Sequence, residues 1–362
     1  MIGGAPDGAG FHGDDEQEPR VSQAKTDTAP TRRRGAGPRI AGAVADAVAR
    51  GYSALALTPV PGALVVRAVF ERDAKRLTAK LDEGAPETQF VGGLRYREGD
   101  VDACLDVYSP TGTTSVLPTI VWVHGGAWIA GSRADYAGYY RRLADAGFTV
   151  VSVGYSLAPR HRYPAAVQQL ADAQRYLLDH AEELHIDTDR IVLAGDSAGA
   201  QLTAQLALAV TDPSYAAALG VTPHFASGQV RGVVLNCGIY NVAALDGGSD
   251  LVRCGVEQAM WAYLGERKFA ESEAARQMST LDLVTADFPP TYITGGNADP
   301  LTATQSRPFA ERLTGLGVDV DSLFYPDGHE PALEHEYQFD LSTLDARDAL
   351  ARTIGFVRKV TA

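Results

Sequence analysis

Cysteine is scarce, with only Cys104, Cys237 and Cys254 in a chain of 362 residues. Thiols so few and so scattered cannot form a disulfide framework. Neither Cys-x-x-Cys nor His-Glu-x-x-His occurs, which rules down a zinc module. Positive charge is in deficit, with 32 Lys and Arg against 45 Asp and Glu for a net −13. A surface that acidic repels phosphate backbones and anionic bilayers, so nucleic acid is not an expected partner. Long apolar runs are lacking too. The uncharged stretch from Gly51 to Val66 holds Pro59 and Pro61 and falls short of the ~20 residues a membrane span needs, so no integral membrane segment is expected. What remains is ordinary for a globular protein: 45% hydrophobic and 21% charged residues, too apolar for a disordered chain.

Residues 1–38 are Gly, Ala, Pro, Asp and Arg with almost no large apolar side chains, which predicts a disordered arm. A Gly-x-Gly-x-x-Gly match at Gly8, Gly10 and Gly13 has no strand before it and no helix pattern after it, so it reads as chance. Thr31-Arg32-Arg33 ahead of an Ala-rich stretch has the outline of a twin-arginine export signal. Asp46 and Arg50 interrupt the apolar run such a signal needs, and the motif sits far from Met1, so a cytoplasmic location is expected.

A helical segment is expected over 39–90. One helix runs from Ile40 to about Leu57, and a second opens at Pro61 and continues through Leu64, Val65, Ala68, Val69 and Leu77 to end at Gly84. The apolar positions of the second fall on one face, which predicts that this face is packed, either as a layer of the main domain or as a cap over a site. After Gly93 the period changes to two. Leu94–Arg97 and Cys104–Tyr108 read as paired strands, followed by strands Thr119–Val123, Thr149–Val153, Ile191–Ala194, Gly232–Leu235, Thr291–Thr294 and Asp319–Tyr325. Helical patterns lie between them near Tyr139–Ala146 and over Ala165–His180, Ala200–Val210, Ser306–Leu313 and Leu344–Val360. That alternation predicts an α/β fold over 91–362: a mostly parallel sheet with helices on both faces and an antiparallel N-terminal edge. Residues 241–288 break the alternation with helical patterns of their own and read as a cap insertion.

Ile191 to Ala194 runs straight into Gly195-Asp196-Ser197-Ala198-Gly199 and then a helix. Gly-x-Ser-x-Gly in that context forces a sharp turn that lifts the serine hydroxyl clear of the sheet, with a helix N-terminus aimed at it. Ser197 is the candidate nucleophile. Asp196, in a tight elbow, reads as structural. The strand ending at Val123 leads into His124-Gly125-Gly126-Ala127-Trp128, where paired glycines let backbone N–H groups converge on an oxyanion. The expected donors are Gly125, Gly126 and Ala198, with His124 bracing the loop.

These stretches, with Gly154-Tyr155-Ser156-Leu157-Ala158-Pro159-Arg160-His161-Arg162-Tyr163-Pro164 between them, resemble the hormone-sensitive-lipase-like group of α/β-hydrolase esterases. The resemblance covers roughly Leu94 to the C-terminus. It implies an α/β-hydrolase fold, a serine carboxylesterase, and a helical cap drawn from the N-terminus and the central insertion. Ser156, Arg160, Ala200 and Ala127 depart from the usual Arg, Glu, Gly and Gly of that group.

A serine hydroxyl needs a base, and the base needs a carboxylate. Thr291–Thr294 leads into Gly295-Gly296-Asn297-Ala298-Asp299-Pro300-Leu301, which puts Asp299 where the acid belongs; the group's Asp-Pro-Leu matches it. Ser322–Tyr325 leads into Pro326-Asp327-Gly328-His329, and His329 after a flexible glycine is the expected base. Its rival His335, among Glu334 and Glu336, reads as exposed. The predicted chemistry is two-step acyl transfer on a small-molecule ester, with no cofactor and no metal, and with self-association left open. An amidase, lactonase or peptidase with the same triad, or a ligand-binding relative without catalysis, are the other readings. Trp128, Tyr136, Trp261 and Tyr263 are candidate pocket walls.

Overall fold

The computed structural model describes residues 57–245 and 250–362. The expected arm and the helix from Ile40 lie outside them. Among the described residues eight strands form one sheet: β1 (Thr88–Arg95), β2 (Cys104–Pro110), β3 (Leu117–Val123), β4 (Thr149–Val153), β5 (Ile186–Asp196), β6 (Val230–Asn236), β7 (Thr291–Gly295) and β8 (Val320–Phe324). Their order is β1-β2-β4-β3-β5-β6-β7-β8. The β1/β2 and β2/β4 joints are antiparallel and all others are parallel.

The strands read as near-continuous apolar runs because both faces are covered. Val121, Val123, Ile191, Leu193, Val233, Leu235 and Ile293 point into one core, with Val167 and Leu170 of helix α3 and Leu202 and Leu206 of helix α4. Their neighbours Ile120, Trp122, Val192, Ala194, Val234 and Tyr292 point into the other, with Tyr139, Tyr140 and Leu143 of helix α2 and Phe356 and Val357 of helix α7. Here α1 is Val60–Asp82, α2 Ala137–Asp145, α3 Ala165–Asp179, α4 Ala198–Thr211, α5 Asp250–Leu264, α6 Arg307–Gly315 and α7 Leu344–Val360. Alternate residues of each strand thus feed opposite cores, as the pleat requires.

Helix α1 buries a different face from the one its apolar pattern predicts. Leu64, Val65 and Val69 are exposed, whereas Ala63 and Leu81 are buried. Polar ties set that orientation. Arg67 donates to the carbonyls of Ile129 and Ala158 at 2.5 and 2.7 Å. Arg142 of α2 donates to the carbonyls of Leu81 and Glu83, closing the C-terminus of α1. Among the described residues no helix is long and apolar enough to cross a membrane.

The seat of α1 is tight at Gly138, where a Cβ would collide with the Leu81 carbonyl. Gly138→Ala is expected to lower stability by about 1–3 kcal/mol through overpacking, read as a lower urea midpoint at unchanged m.

Candidate active site

The site lies beyond the C-terminal ends of the parallel strands, where an open α/β sheet exposes its loops. Register places it: Asp196 on β5 pairs with Asn236 on β6, which pairs with Thr294 on β7. Ser197, one step beyond, keeps its backbone N–H on the Asn236 carbonyl at 2.8 Å. Its φ of 50° and ψ of −120° are conformations that side-chain-bearing residues rarely adopt. The turn closes because Gly199 lies against the backbone of Val123 and His124, leaving no room for a Cβ.

His335 completes the arrangement. Its Nε2 is 3.0 Å from Ser197 Oγ and its Nδ1 is 2.8 Å from Asp299 Oδ2. The expectation of His329 in this place is therefore corrected. His329 turns away, with Nε2 on Asp345 Oδ1 at 3.1 Å and its ring against Tyr325. The physical reason is the docking of the chain between the two histidines. Leu333 is buried, accepts from Ala298 N at 2.9 Å, and donates its own N–H to Asn297 Oδ1 at 2.9 Å. That clamp carries the next residues over Asp299. The signal available was apolar: Leu333, Tyr337 and Phe339 all bury, so the segment containing His335 is not an exposed acidic loop.

Asp299 is nearly inaccessible and accepts from Leu301 N at 2.9 Å. Burial disfavours the imidazolium of His335. Its buried neighbours outweigh that effect, the hydrogen-bonded Asp299 carboxylate among them, and raise its pKa well above the ordinary 6.5. The Cys237 thiol is itself pushed up by burial. Cys237, Asp299 and His335 bring a thiol, a carboxylate oxygen and an imidazole nitrogen within 4.8 Å of one another. Both nitrogens of that imidazole are already committed, to Asp299 and to Ser197.

The oxyanion loop requires a second correction. Gly125 N–H is already committed, donating to Asp196 Oδ2 at 2.8 Å. Asp196 is fully buried and also accepts from Trp122 Nε1 at 2.8 Å and Tyr136 OH at 3.2 Å. Burial and the nearby Glu336 carboxylate raise its pKa well above the usual carboxylate range, with those three donors pulling the other way. The amides of Gly126, Ala127 and Ala198 have no hydrogen-bond partner among the described residues. Gly126, Ala127 and Trp128 share left-handed φ values of 109°, 51° and 58°, which turn successive N–H groups to one side. His124 is buried, stacks on Tyr155 at 4.4 Å and donates from Nδ1 to the Gly125 carbonyl at 2.8 Å.

Beside His335 lies a cavity of about 510 Å³ whose lining includes Phe70, Leu77, Gly125, Gly126, Tyr136 and Glu336. Of the four aromatic candidates only Tyr136 faces it. Trp128 stacks on Tyr263 at 5.3 Å and donates to Gln201 Oε1, so both are core residues. Trp261 is covered by Arg267, 4.2 Å from its ring centroid. None of these three rings lines this cavity.

The BD-FAE family profile matches residues 105–313. An acetyl esterase of Salmonella paratyphi A is 32% identical over 236 residues, which cover 63% of this chain and 68% of the relative. An esterase structure from Pyrobaculum calidifontis superposes with TM-score 0.67 at 25% identity, covering 83% of this chain and 94% of the other. A carboxylesterase cloned from a metagenomic library gives TM-score 0.66 at 26% identity, covering 83% and 98%. The fold is that of the α/β-hydrolase esterases.

Burial pushes the His124 pKa down to about 4 from 6.5. The unfolded chain takes up this proton near the ordinary value, so stability falls as pH drops below 6.5 towards 4. Urea unfolding at about pH 7 and about pH 5 should differ by about 2 kcal/mol from this residue alone, and His124→Gln should remove that share.

Proposed function

This chain belongs to the BD-FAE family, among the hormone-sensitive-lipase-like carboxylesterases, and we propose that it cleaves small to medium carboxylic esters by two-step acyl transfer at Ser197. The observation that carries this reading is the continuous relay Ser197 Oγ, His335, Asp299, with contacts of 3.0 and 2.8 Å. In it, neutral His335 accepts the Ser197 proton at Nε2 as Oγ attacks the ester carbonyl. Asp299 holds the Nδ1 proton and stabilises the imidazolium. The tetrahedral oxyanion lies against the amides of Gly126, Ala127 and Ala198, while Gly125 serves by keeping its own N–H on Asp196 and fixing the loop. His335 then returns the proton to the departing alkoxide as the C–O bond breaks, leaving an acyl group on Oγ. Water, deprotonated by the same imidazole, attacks that acyl carbon and releases the carboxylic acid and free Ser197.

Three variants and a pH profile test the assignment with a short p-nitrophenyl ester. Ser197→Ala and His335→Ala are each expected to cut kcat by about 10³-fold or more, whereas His329→Ala stays within about threefold of the parent. A large loss in His329→Ala with His335→Ala close to the parent would reverse the assignment of the base. Because only neutral His335 accepts a proton, and its pKa is raised, the acid limb of kcat/KM is expected above pH 6.5. Rates on matched esters and anilides separate an esterase from an amidase that uses the same groups.

A further inference from the structure

Glu336 stands next to the imidazole in a conformation unusual for its type, with φ of 61°. Its Oε1 lies 4.0 Å from His335 Nε2, the nitrogen that faces Ser197. Its Oε2 is 3.3 Å from the Tyr136 oxygen, at the wall of the cavity beside the triad. In the acyl transfer set out above, Nε2 delivers a proton to the leaving oxygen, so the alcohol half of the ester departs past this nitrogen. A carboxylate 4.0 Å away therefore faces the alcohol half.

The other charged groups facing the cavity reinforce the same sign. Asp73, Asp135, Glu334 and Asp340 also line it, and no lysine or arginine does among the described residues. Two of these acids are neutralised from outside: Asp73 pairs with Arg72 and Arg76, and Asp340 with Lys80. Asp135 accepts only a backbone amide, from Ser132. Burial, with Glu336 and Glu71 nearby, lifts its pKa to about 6, so it is ionised at neutral pH. Glu336 and Glu334 have no salt bridge to lysine or arginine among the described residues. With His335 neutral, as the acyl transfer requires, a cationic alcohol group entering here meets a wall that carries carboxylates and no lysine or arginine, and an anionic one is repelled.

We infer that Glu336 sets the substrate charge preference of the site, favouring esters whose alcohol part carries a positive charge, such as an ammonium group. The inference rests on the acyl-transfer reading. Its test uses two acetate esters of nearly identical shape, acetylcholine and 3,3-dimethylbutyl acetate, which differ in having a charged nitrogen or a neutral carbon at one position. The full chain is expected to favour the charged ester by roughly tenfold in kcat/KM at low ionic strength, with the preference shrinking as salt is added. Glu336→Gln is expected to bring the ratio close to one. Glu336→Gly, whose backbone suits the left-handed position, serves as the second variant and should do the same. Because the ratio is taken within each variant, a general loss of folded enzyme cancels. A ratio at or below one in the parent, or a ratio left unchanged by both substitutions, overturns the inference. Turnover of p-nitrophenyl acetate with neither alkyl ester accepted overturns it while sparing the esterase reading, and turnover of no ester at all removes both.

Discussion

The fixed geometry of the site depends on one buried carboxylate. Asp196 ends the strand that presents Ser197, and it receives hydrogen bonds from Trp122 on the neighbouring strand, from Gly125 in the oxyanion loop and from Tyr136 at the start of α2. Three separate segments are thereby held at fixed distance from Ser197. A buried carboxylate is costly unless its lone pairs are satisfied, and here donors converge on it from three sides. The constraint also explains why the loop offers the amides after Gly125 instead of Gly125 itself. Removing the Asp196 acceptor would leave an indole and an amide N–H unpaired in the interior and would loosen the loop beside Ser197.

A second constraint places His335. The Ala298–Leu333 backbone bond and the Asn297 side chain join the loops after β7 and β8, so acid and imidazole arrive as one unit. Asn297 also donates to the His329 carbonyl at 3.0 Å, fixing the start of the same loop. The imidazole is thus placed by main-chain groups of Leu333, two residues before it. Its orientation comes from Asp299, and its reach to Ser197 follows from both.

The elements most legible in the sequence were those with an uninterrupted period. Strand Thr149–Val153 and helix Leu344–Val360 lie where the pattern puts them, because each is a simple apolar run or stripe packed on the core. Boundaries moved where chemistry and period disagree. β1 begins at Thr88, ahead of the Gly92-Gly93 pair that reads as a break, because an irregular register between Val91 and Leu94 absorbs it. β5 begins at Ile186, with polar Asp187, Thr188, Asp189 and Arg190 carried on its partly exposed start. The elbow at Ser197 and the loop holding Asp299 could be located from the chain because each follows closely on the end of its strand. His335 could not, since its position is set by a pairing between distant loops, and local composition around it points the other way. The free amides of the oxyanion loop were hidden for a similar reason: which N–H remains available depends on a carboxylate that is remote in sequence.

Ser197 occupies a backbone conformation natural to glycine, a strain of about 1–3 kcal/mol in a protein whose whole stability is of order 5–15 kcal/mol. The chain would be more robust with glycine at this position and would then hydrolyse nothing by this route. A lineage released from the need for hydrolysis should drift first at this elbow, while the surrounding sheet, built for packing alone, has no such incentive to change.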